Sequence, residues 1–338
     1  MKRISPAILT QLFLLLVIFL CAGIIFFEMI PYISGILGAI TLYVLLRKPM
    51  KKLVKKKWPP TLAAIFLLVL SSIGILIPIG GVILLLGNKI SYLVNNWEKV
   101  FTAIKNEISK LENYFGYSFT SDIDPSSASG YISDSLQGIA GGTFNTVLAL
   151  FIMYFLLYYM LINDGYLRKN FAVFLPLKPE NVKLVGKEIA GKVRSNALGI
   201  PLVAVAQGIV ALIGFLIFGI ENALFWFAMV AIGSMIPFVG GLLGIVPAFI
   251  LTYANGDVFN AWGILAYGFF IVGSTDNVIR LYVLKKIDNV HPLITLVGVL
   301  IGVPLFGFIG LIFGPLLISL FLVVLKIYKK EYITNSND

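Results

Sequence analysis

Charged residues are scarce in this chain. Asp, Glu, Lys and Arg make up 12% of its 338 residues and hydrophobic residues 59%, whereas about 25% of a soluble globular protein is charged. Several apolar runs exceed the roughly 20 residues that a helix needs to cross a bilayer, and none alternates with the period of a membrane β-barrel. Because only helices and closed barrels satisfy their backbone groups in lipid, the sequence predicts an all-α integral membrane protein. We expect a polytopic helical bundle with about six full transmembrane helices plus two segments broken by Gly and Pro.

Residues that perform chemistry are also nearly absent. The chain has one cysteine, Cys21, and one histidine, His291, which excludes an internal disulfide and a zinc site of the HExxH type. It contains neither a GxxxxGK[ST] phosphate-binding loop nor a GxSxG nucleophile motif, which argues against an ATP-driven pump and a serine hydrolase. An intramembrane aspartyl protease needs two aspartates, and we identify one, Asp276. We therefore expect no enzyme activity, no cofactor and no metal site.

The basic residues that give the chain its net charge of +10 lie beside the apolar segments. Lys and Arg are enriched in cytoplasmic loops of membrane proteins, so this charge predicts topology rather than nucleic-acid binding. Segment 47–58 contains seven Lys or Arg and no acid, and it is predicted to be a cytoplasmic loop. With Lys2 and Arg3 also inside, helices one and two are predicted to form a hairpin. Three lysines within 326–330 place the C-terminus in the cytoplasm as well.

Composition divides the chain into a series of predicted regions. The insert after the third helix has no positive bias, which suits the extracytoplasmic side, and its apolar residues recur as in an amphipathic helix. A second amphipathic segment is basic, which favours a helix at the cytoplasmic membrane surface. The regions are 1–87, three transmembrane helices with the basic loop 47–58; 88–138, the extracytoplasmic insert; 139–162, a transmembrane helix; 163–197, the cytoplasmic amphipathic segment; 198–328, a C-terminal membrane region with two broken hairpins; and 329–338, a cytoplasmic tail.

The charge pattern of the C-terminal region requires segments that enter the membrane and return. Lys285 and Lys286 are predicted to lie inside, which holds only if segment 223–254 returns to the side from which it entered. Gly and Pro, which interrupt helices, are concentrated at its centre and again within 292–325. Broken helices of this kind point to the binding site of a transporter, with close helix packing as the alternative role of the glycines. The candidate residues for exposed backbone and hinges are Pro237, Gly240, Gly241, Gly244, Pro247, Gly302, Pro304, Gly307, Gly310, Gly314 and Pro315.

A polar cluster interrupts the apolar segment between these hairpins, in the sequence GSTDNVIRLYVLKK at 273–286. If Lys285 marks the inner interface, Asp276 lies about 13 Å deeper, near the middle of a hydrocarbon core about 30 Å thick. Arg280 follows Asp276 by four residues on the same helical face, so the two side chains can pair. Ser274, Thr275 and Asn277 add hydrogen-bonding groups. Because an intramembrane charge is costly, we predict a site for a substrate or coupling ion, with a structural ion pair as the alternative.

Two other polar residues are weaker candidates. Gln207 is an amide within the fifth predicted helix, where such a side chain more often bonds a neighbouring helix than a ligand. His291 precedes Pro292 near the predicted interface, and a pH-sensing role is the alternative to a simple surface position.

Three sequence blocks carry a family resemblance. They are IPFVGGLLGIVPA at 236–248, DNVIR at 276–280 and HPLITLVGVLIGVPLFGFIGLIFGP at 291–315. With these blocks the chain resembles the autoinducer-2 exporter family of bacterial membrane proteins over nearly its whole length. It departs from the family in one detail, because Leu281 and Tyr282 follow Arg280 where a proline is frequent.

The resemblance implies a secondary transporter of the bacterial cytoplasmic membrane, with both termini in the cytoplasm and a homo-oligomeric assembly. Family members are associated with export of the quorum-sensing signal autoinducer-2 in some cases and with sodium/proton exchange in others. The expected partners are therefore the lipid bilayer and a small polar solute or cation, with protons or sodium as candidate coupling ions. A non-transporting membrane scaffold or channel, in which Asp276 and Arg280 are purely structural, stays open as the alternative from a different class.

Overall fold

The structure, a computed structural model, describes residues 6–95, 143–174, 178–236, 240–275, 278 and 292–329. All regular secondary structure within these ranges is helical, which confirms the predicted all-α fold. Five helical segments are long and apolar enough to cross a membrane, or six if α4 and the first turns of α5 form one bent span. The helices are α1 (Pro6–Met29), α2 (Ile33–Lys55), α3 (Pro60–Asn95), α4 (Thr143–Ile162), α5 (Asp164–Phe174), α6 (Pro179–Ile217), α7 (Ala223–Gly233), α8 (Leu242–Ala254), α9 (Val258–Tyr267), α10 (Pro292–Phe306) and α11 (Gly310–Tyr328), with a π-helix at Gly268–Val272 and 3₁₀ turns at Ile30–Tyr32 and Gly307–Ile309.

The first helix stands apart from the rest of the described chain. Its most apolar stretch is exposed throughout, and α1 does not pack along α2. The predicted hairpin of the first two helices is therefore wrong. Only three residues, Ile30–Tyr32, separate α1 from α2, and they form a 3₁₀ turn rather than a reversing loop.

The basic segment 47–58 is mostly helical rather than a loop. α2 continues to Lys55, and the chain then turns over 56–59. Lys57 adopts a positive φ of 66°, and the N–H of Trp58 donates to the carbonyl oxygen of Leu53. This is the Schellman arrangement that ends helices, and Pro60 starts α3 at the position where a missing N–H costs nothing. The prediction took the basic charge of this segment as a sign of a loop. Lys and Arg are good helix formers, so the helix continues through them.

Helices α2, α3 and α4 form the N-terminal bundle. α2 approaches α4 closely because it presents small residues: a Cβ on Gly35 would lie 2.5 Å from the carbonyl oxygen of Ala149. Lipid tails are as apolar as the helices, so the hydrophobic effect does not drive helices together in a membrane. Small residues at such contacts allow close packing, which does. The buried core of this bundle consists of Ala39, Leu42, Met50, Ala63, Ala64, Leu67, Met153, Leu157 and Leu161.

Helix α6 joins the N-terminal bundle to the C-terminal region. It is a single helix of 39 residues, so the predicted boundary between a surface segment ending at 197 and a transmembrane helix starting at 198 is absent. Val193, at the end of the apolar face of the amphipathic segment predicted at 163–197, is fully buried and packs with Phe313 and Leu316 of α11. At its C-terminal end this face is covered by α11 rather than by the membrane surface.

The C-terminal bundle consists of α6, α7, α8, α9 and the π-helix, all packed around one buried core. α7 and α8 pack against each other and contain 11 and 13 residues. At 1.5 Å per residue they are about 16 Å and 20 Å long, too short to cross a hydrocarbon core of about 30 Å one at a time. The core residues are Ala211, Phe215, Ile220, Phe225, Trp226, Ala228, Val230, Ile245, Ala248, Ile264 and Val272.

Candidate functional site

The interruption between α7 and α8 lies within the segment in which the sequence predicts a broken helix. α7 ends at Gly233, and the N–H of Ile236 donates back to the carbonyl oxygen of Gly233 in a tight turn. Gly240 has a positive φ of 36°, a conformation that L side chains rarely adopt, and α8 begins at Leu242. Pro237 lies outside the described residues. Pro247 lies inside α8 rather than at the break.

The predicted glycines after the break bring α8 against its neighbours. A Cβ on Gly241 would lie 3.0 Å from Ile245 and 3.2 Å from Val272, and one on Gly244 would lie 2.5 Å from Val230. On the facing element, a Cβ on Gly268 would likewise lie 2.5 Å from Ile245. A side chain at Gly244 or Gly268 would overlap atoms of the facing element, so α8 lies directly against α7 and the π-helix.

The π-helix occupies the five residues Gly268–Val272, immediately before the predicted polar cluster. Its wider turn is closed by the N–H of Gly273, which donates to the carbonyl oxygen of Gly268. Single π-turns inside α-helices are rare and occur frequently at functional sites. Sequence analysis did not predict this element, and the local sequence GFFIVG carries no distinctive signal for it.

Gln207 connects α6 to both of these irregular elements. Its side chain is 1% exposed, and its Nε2 donates to the carbonyl oxygen of Val272 at 3.5 Å, the outer limit for a hydrogen bond. Within the described chain its Oε1 has no hydrogen-bond partner. A Cβ on Gly240 would lie 4.0 Å from that oxygen. The helix–helix hydrogen bond expected from the sequence is present, and half of the amide is left unsatisfied beside the break.

The polar cluster at the end of this helix is described only in part. Ser274 is exposed, and the Thr275 hydroxyl donates to the carbonyl oxygen of Ile271 at 2.6 Å. A threonine that bonds the preceding turn in this way keeps its polar group on its own helix. Asp276, Asn277, Arg280 and His291 lie outside the described residues, so their predicted roles stay predictions.

The second predicted broken segment is a helical hairpin formed by α10 and α11. Gly307 turns the chain with a positive φ of 63°. Gly302 packs so closely on α11 that a Cβ there would lie 2.6 Å from Cα of Gly314. A Cβ on Gly310 would overlap the carbonyl of Gly302 in the same way. In this structure these glycines form the helix contact that the sequence analysis gave as their alternative role, and Pro304 and Pro315 lie within helices.

A side-chain amide of α6 holds the tip of this hairpin. Asn196 is 5% exposed, and its Nδ2 donates to the carbonyl oxygen of Ile312 at 3.0 Å. Sequence analysis did not single out Asn196, because it was assigned to the surface segment rather than to a buried helix face.

An ionic cluster links α2 to α5 and was also missed. Asp164 begins α5, which turns by 90° from α4 and so leaves the line of the membrane span. Arg47 Nε lies 2.6 Å and Lys51 Nζ 3.2 Å from the Asp164 carboxylate, and the Tyr43 hydroxyl donates to it. Burial raises the pKa of Asp164, but its interactions with Tyr43 and Lys51 and its ion pair with Arg47 outweigh this effect and hold the pKa below its usual value.

Within the described ranges, no group of three or more His, Cys, Asp or Glu side chains could hold a metal ion. The polar groups of the region around Gln207 are an amide, backbone carbonyls and hydroxyls. Such groups orient a ligand by hydrogen bonding between apolar walls, which is typical of small-molecule sites.

Residues 13–330 match the model of the AI-2E family of transporters. The chain belongs to this family. It is 30% identical over 321 residues to "Putative transport protein YueF" of Bacillus subtilis, which covers 88% of this chain and 85% of that protein. A second relative from Aquifex aeolicus, also named as a putative transport protein, is 27% identical over 206 residues, or 60% of this chain.

The extent of these matches differs between relatives. The alignment spans 58% of the Aquifex protein, and that with YdiK of Escherichia coli, at 31% identity, spans 38% of this chain and 35% of YdiK. Membership of a membrane transporter family agrees with the several long apolar helices of this AI-2E family protein.

Proposed function

We propose that this AI-2E family protein is a secondary transporter that exports a small polar solute, such as autoinducer-2, across the bacterial cytoplasmic membrane. The observation that carries the proposal is the contact of two irregular backbone elements at a buried, half-satisfied amide. The break between α7 and α8, the π-helix and Gln207 meet at one place. Irregular backbone at membrane depth is tolerated where it is enclosed by protein or lines a water-filled cavity.

The polar cluster that follows the π-helix supplies the charged part of the proposed site. Asp276 follows Val272, whose carbonyl oxygen accepts from Gln207, by four residues in the sequence. An intramembrane carboxylate is a natural carrier of protons or sodium, so Asp276 is the proposed coupling residue, and Asn277 and Arg280 are its proposed neighbours.

Exchange of sodium for protons is the second candidate function, and the intramembrane Asp276 is the feature that favours it. In that case Asp276 binds the transported ion itself. The two candidates predict different cargo for the same assay, since an antiporter moves sodium without any organic solute.

The test uses purified protein in liposomes with an imposed proton or sodium gradient. Autoinducer-2 uptake and sodium movement are followed separately. The proposal expects solute flux in the wild-type protein and a loss of at least tenfold in Asp276→Asn, with flux that no longer depends on pH. Sodium flux without solute flux favours antiport. If no flux occurs in the wild-type protein, the scaffold alternative replaces the transporter.

A further inference from the structure

The amide oxygen of Gln207 is buried and has no hydrogen-bond partner within the described chain. The amide group is planar, and its Nε2 donates to the carbonyl oxygen of Val272. The orientation of the group is therefore fixed, and Oε1 is left without a partner. Gly240 lies next to it without a side chain. An acceptor that is buried without a partner loses the full free energy of its hydration, so this arrangement is unfavourable unless a ligand completes it.

The residues packed around Gly241, which follows Gly240 in the chain, are apolar. The residues that contact Gly241 beside the break, Val230, Ile245 and Val272, belong to the fully buried core of the C-terminal bundle. Val272 also presents its carbonyl, which already accepts from Gln207 Nε2, and the hydroxyl of Ser234 donates to the carbonyl oxygen of Val230 at 2.6 Å. Gln207 Oε1 is thus an unpaired acceptor close to Gly240, where the residues that follow the break pack on apolar side chains.

We propose that Gln207 Oε1 accepts a hydrogen bond from an uncharged O–H or N–H group of the transported solute, and that Gln207 is a specificity-determining residue. The inference rests on the proposed transport function. A neutral amide oxygen accepts one or two hydrogen bonds and provides no ionic attraction. Oxygen-binding cations such as Ca²⁺ and Mg²⁺ gather about six to eight ligands, a set that one free acceptor does not provide.

This role separates recognition from coupling. Asp276 is proposed to carry the ion, whereas Gln207 recognises a donor group of the solute. A site with a buried polar group discriminates strongly against an analogue that lacks the matching group, because the protein atom is then left unpaired. The donor on the solute, rather than its size, is therefore expected to decide which molecules compete for transport.

The test compares Gln207→Met with the wild-type protein in the liposome assay, using autoinducer-2 and analogues that each lack one hydroxyl. Met has nearly the same length as Gln but neither accepts nor donates a comparable hydrogen bond. We expect the KM for autoinducer-2 to rise about five- to tenfold, the effect of one buried hydrogen bond, while maximal flux falls less.

Competition by the analogues gives a second readout. One deoxy analogue is expected to compete poorly with autoinducer-2 in the wild-type protein, and to compete as well as autoinducer-2 itself in Gln207→Met. Gln207→Asn, which keeps the amide on a shorter arm, is expected to restore part of the preference.

Asn196→Leu is the matched control, because Asn196 is another buried amide on α6 that contacts the α10–α11 hairpin instead. It is expected to lower thermal stability without changing KM or the ranking of analogues. Equal KM values for wild-type protein and Gln207→Met would overturn the inference and leave the transport function standing. So would a Gln207→Met defect confined to sodium flux. Absence of all flux in the wild-type protein would overturn the transport function and this inference together.

Discussion

Gly302 of α10 and Gly310 of α11 pack backbone against backbone, so that a Cβ on Gly302 would lie 2.5 Å from the carbonyl oxygen of Gly310. Glycines at such a contact allow two apolar helices to approach closely enough for dispersion forces to hold them in lipid. The α10–α11 hairpin therefore depends on the absence of side chains at its centre.

We predict that Gly302→Val separates these helices and destabilises the protein by about 2 kcal/mol or more, because overpacking a close contact typically costs about 1–3 kcal/mol. The measurement is thermal unfolding in detergent, followed by the loss of a monodisperse elution peak. Gly74→Val is the control, since a Cβ on Gly74 meets no atom within 4 Å. Equal melting temperatures for the two variants would contradict the packing described for the hairpin.

The bond from Asn196 to Ile312 predicts a smaller loss. Asn196→Leu should destabilise the protein by about 0.5–1.5 kcal/mol, the range for one interhelical hydrogen bond in a membrane protein. Asn163→Leu serves for comparison, because the Asn163 amide donates to the carbonyl oxygen of Tyr159 on its own helix at an exposed position. A larger effect at Asn163 than at Asn196 would count against the anchoring role.

The ionic cluster at Asp164 predicts a loss of stability that depends on pH. Because the folded-state pKa of Asp164 is lowered, its contacts stabilise the protein above the unfolded pKa of about 3.9 and are lost as pH falls through the folded value. Asp164→Asn should therefore lower the melting temperature at pH 7, and this difference should shrink as the pH falls below about 3.9. Glu221→Gln, at an exposed carboxylate, is the matched control at pH 7 and pH 3. An Asp164→Asn effect that persists undiminished at pH 3 would rule out this explanation.

The start of α9 predicts a helix-capping effect. Asp257 precedes the helix, and its Oδ1 accepts from the backbone N–H of Asn260 at 3.3 Å. Asp257→Ala should cost about 0.5–2 kcal/mol, whereas Asp257→Asn should cost less because Asn is also a good N-cap. Thermal unfolding of the two variants side by side gives the measurement, and identical losses would argue against capping.

The sequence predicted the helical class and the segment that contains the α7–α8 break, because hydropathy and the Gly/Pro concentration depend on local composition. The sequence did not predict the features of the structure that depend on tertiary contacts. The segment predicted to lie on the membrane surface and to end at 197 is instead continuous with the following span in α6. Its face around Val193 is covered by α11. The segment 47–58, predicted as a loop, is helical as far as Lys55. Its charge indicates the side of the membrane on which it lies and not its backbone conformation.

The candidate site shows the same division. Gln207 was recognised as a membrane-embedded amide, but its link to Gly240 and the π-helix joins residues more than thirty positions apart. The spacing of apolar residues along the sequence does not indicate a contact between residues so far apart. Asp164 was passed over because an acid beside a membrane segment is ordinary, and its significance comes from Arg47 and Lys51 on a different helix.

The third buried cluster of the described chain is much smaller than those of the two bundles, and contains only Val193, Phe313 and Leu316. It lies where α6 and α11 meet the partly buried residues of α2, and so forms part of the link between the bundles. A shift of one bundle against the other would expose few fully buried side chains at this cluster, while each bundle kept its own core intact. The fully buried apolar core at this link is therefore smaller than the core that each bundle has within itself.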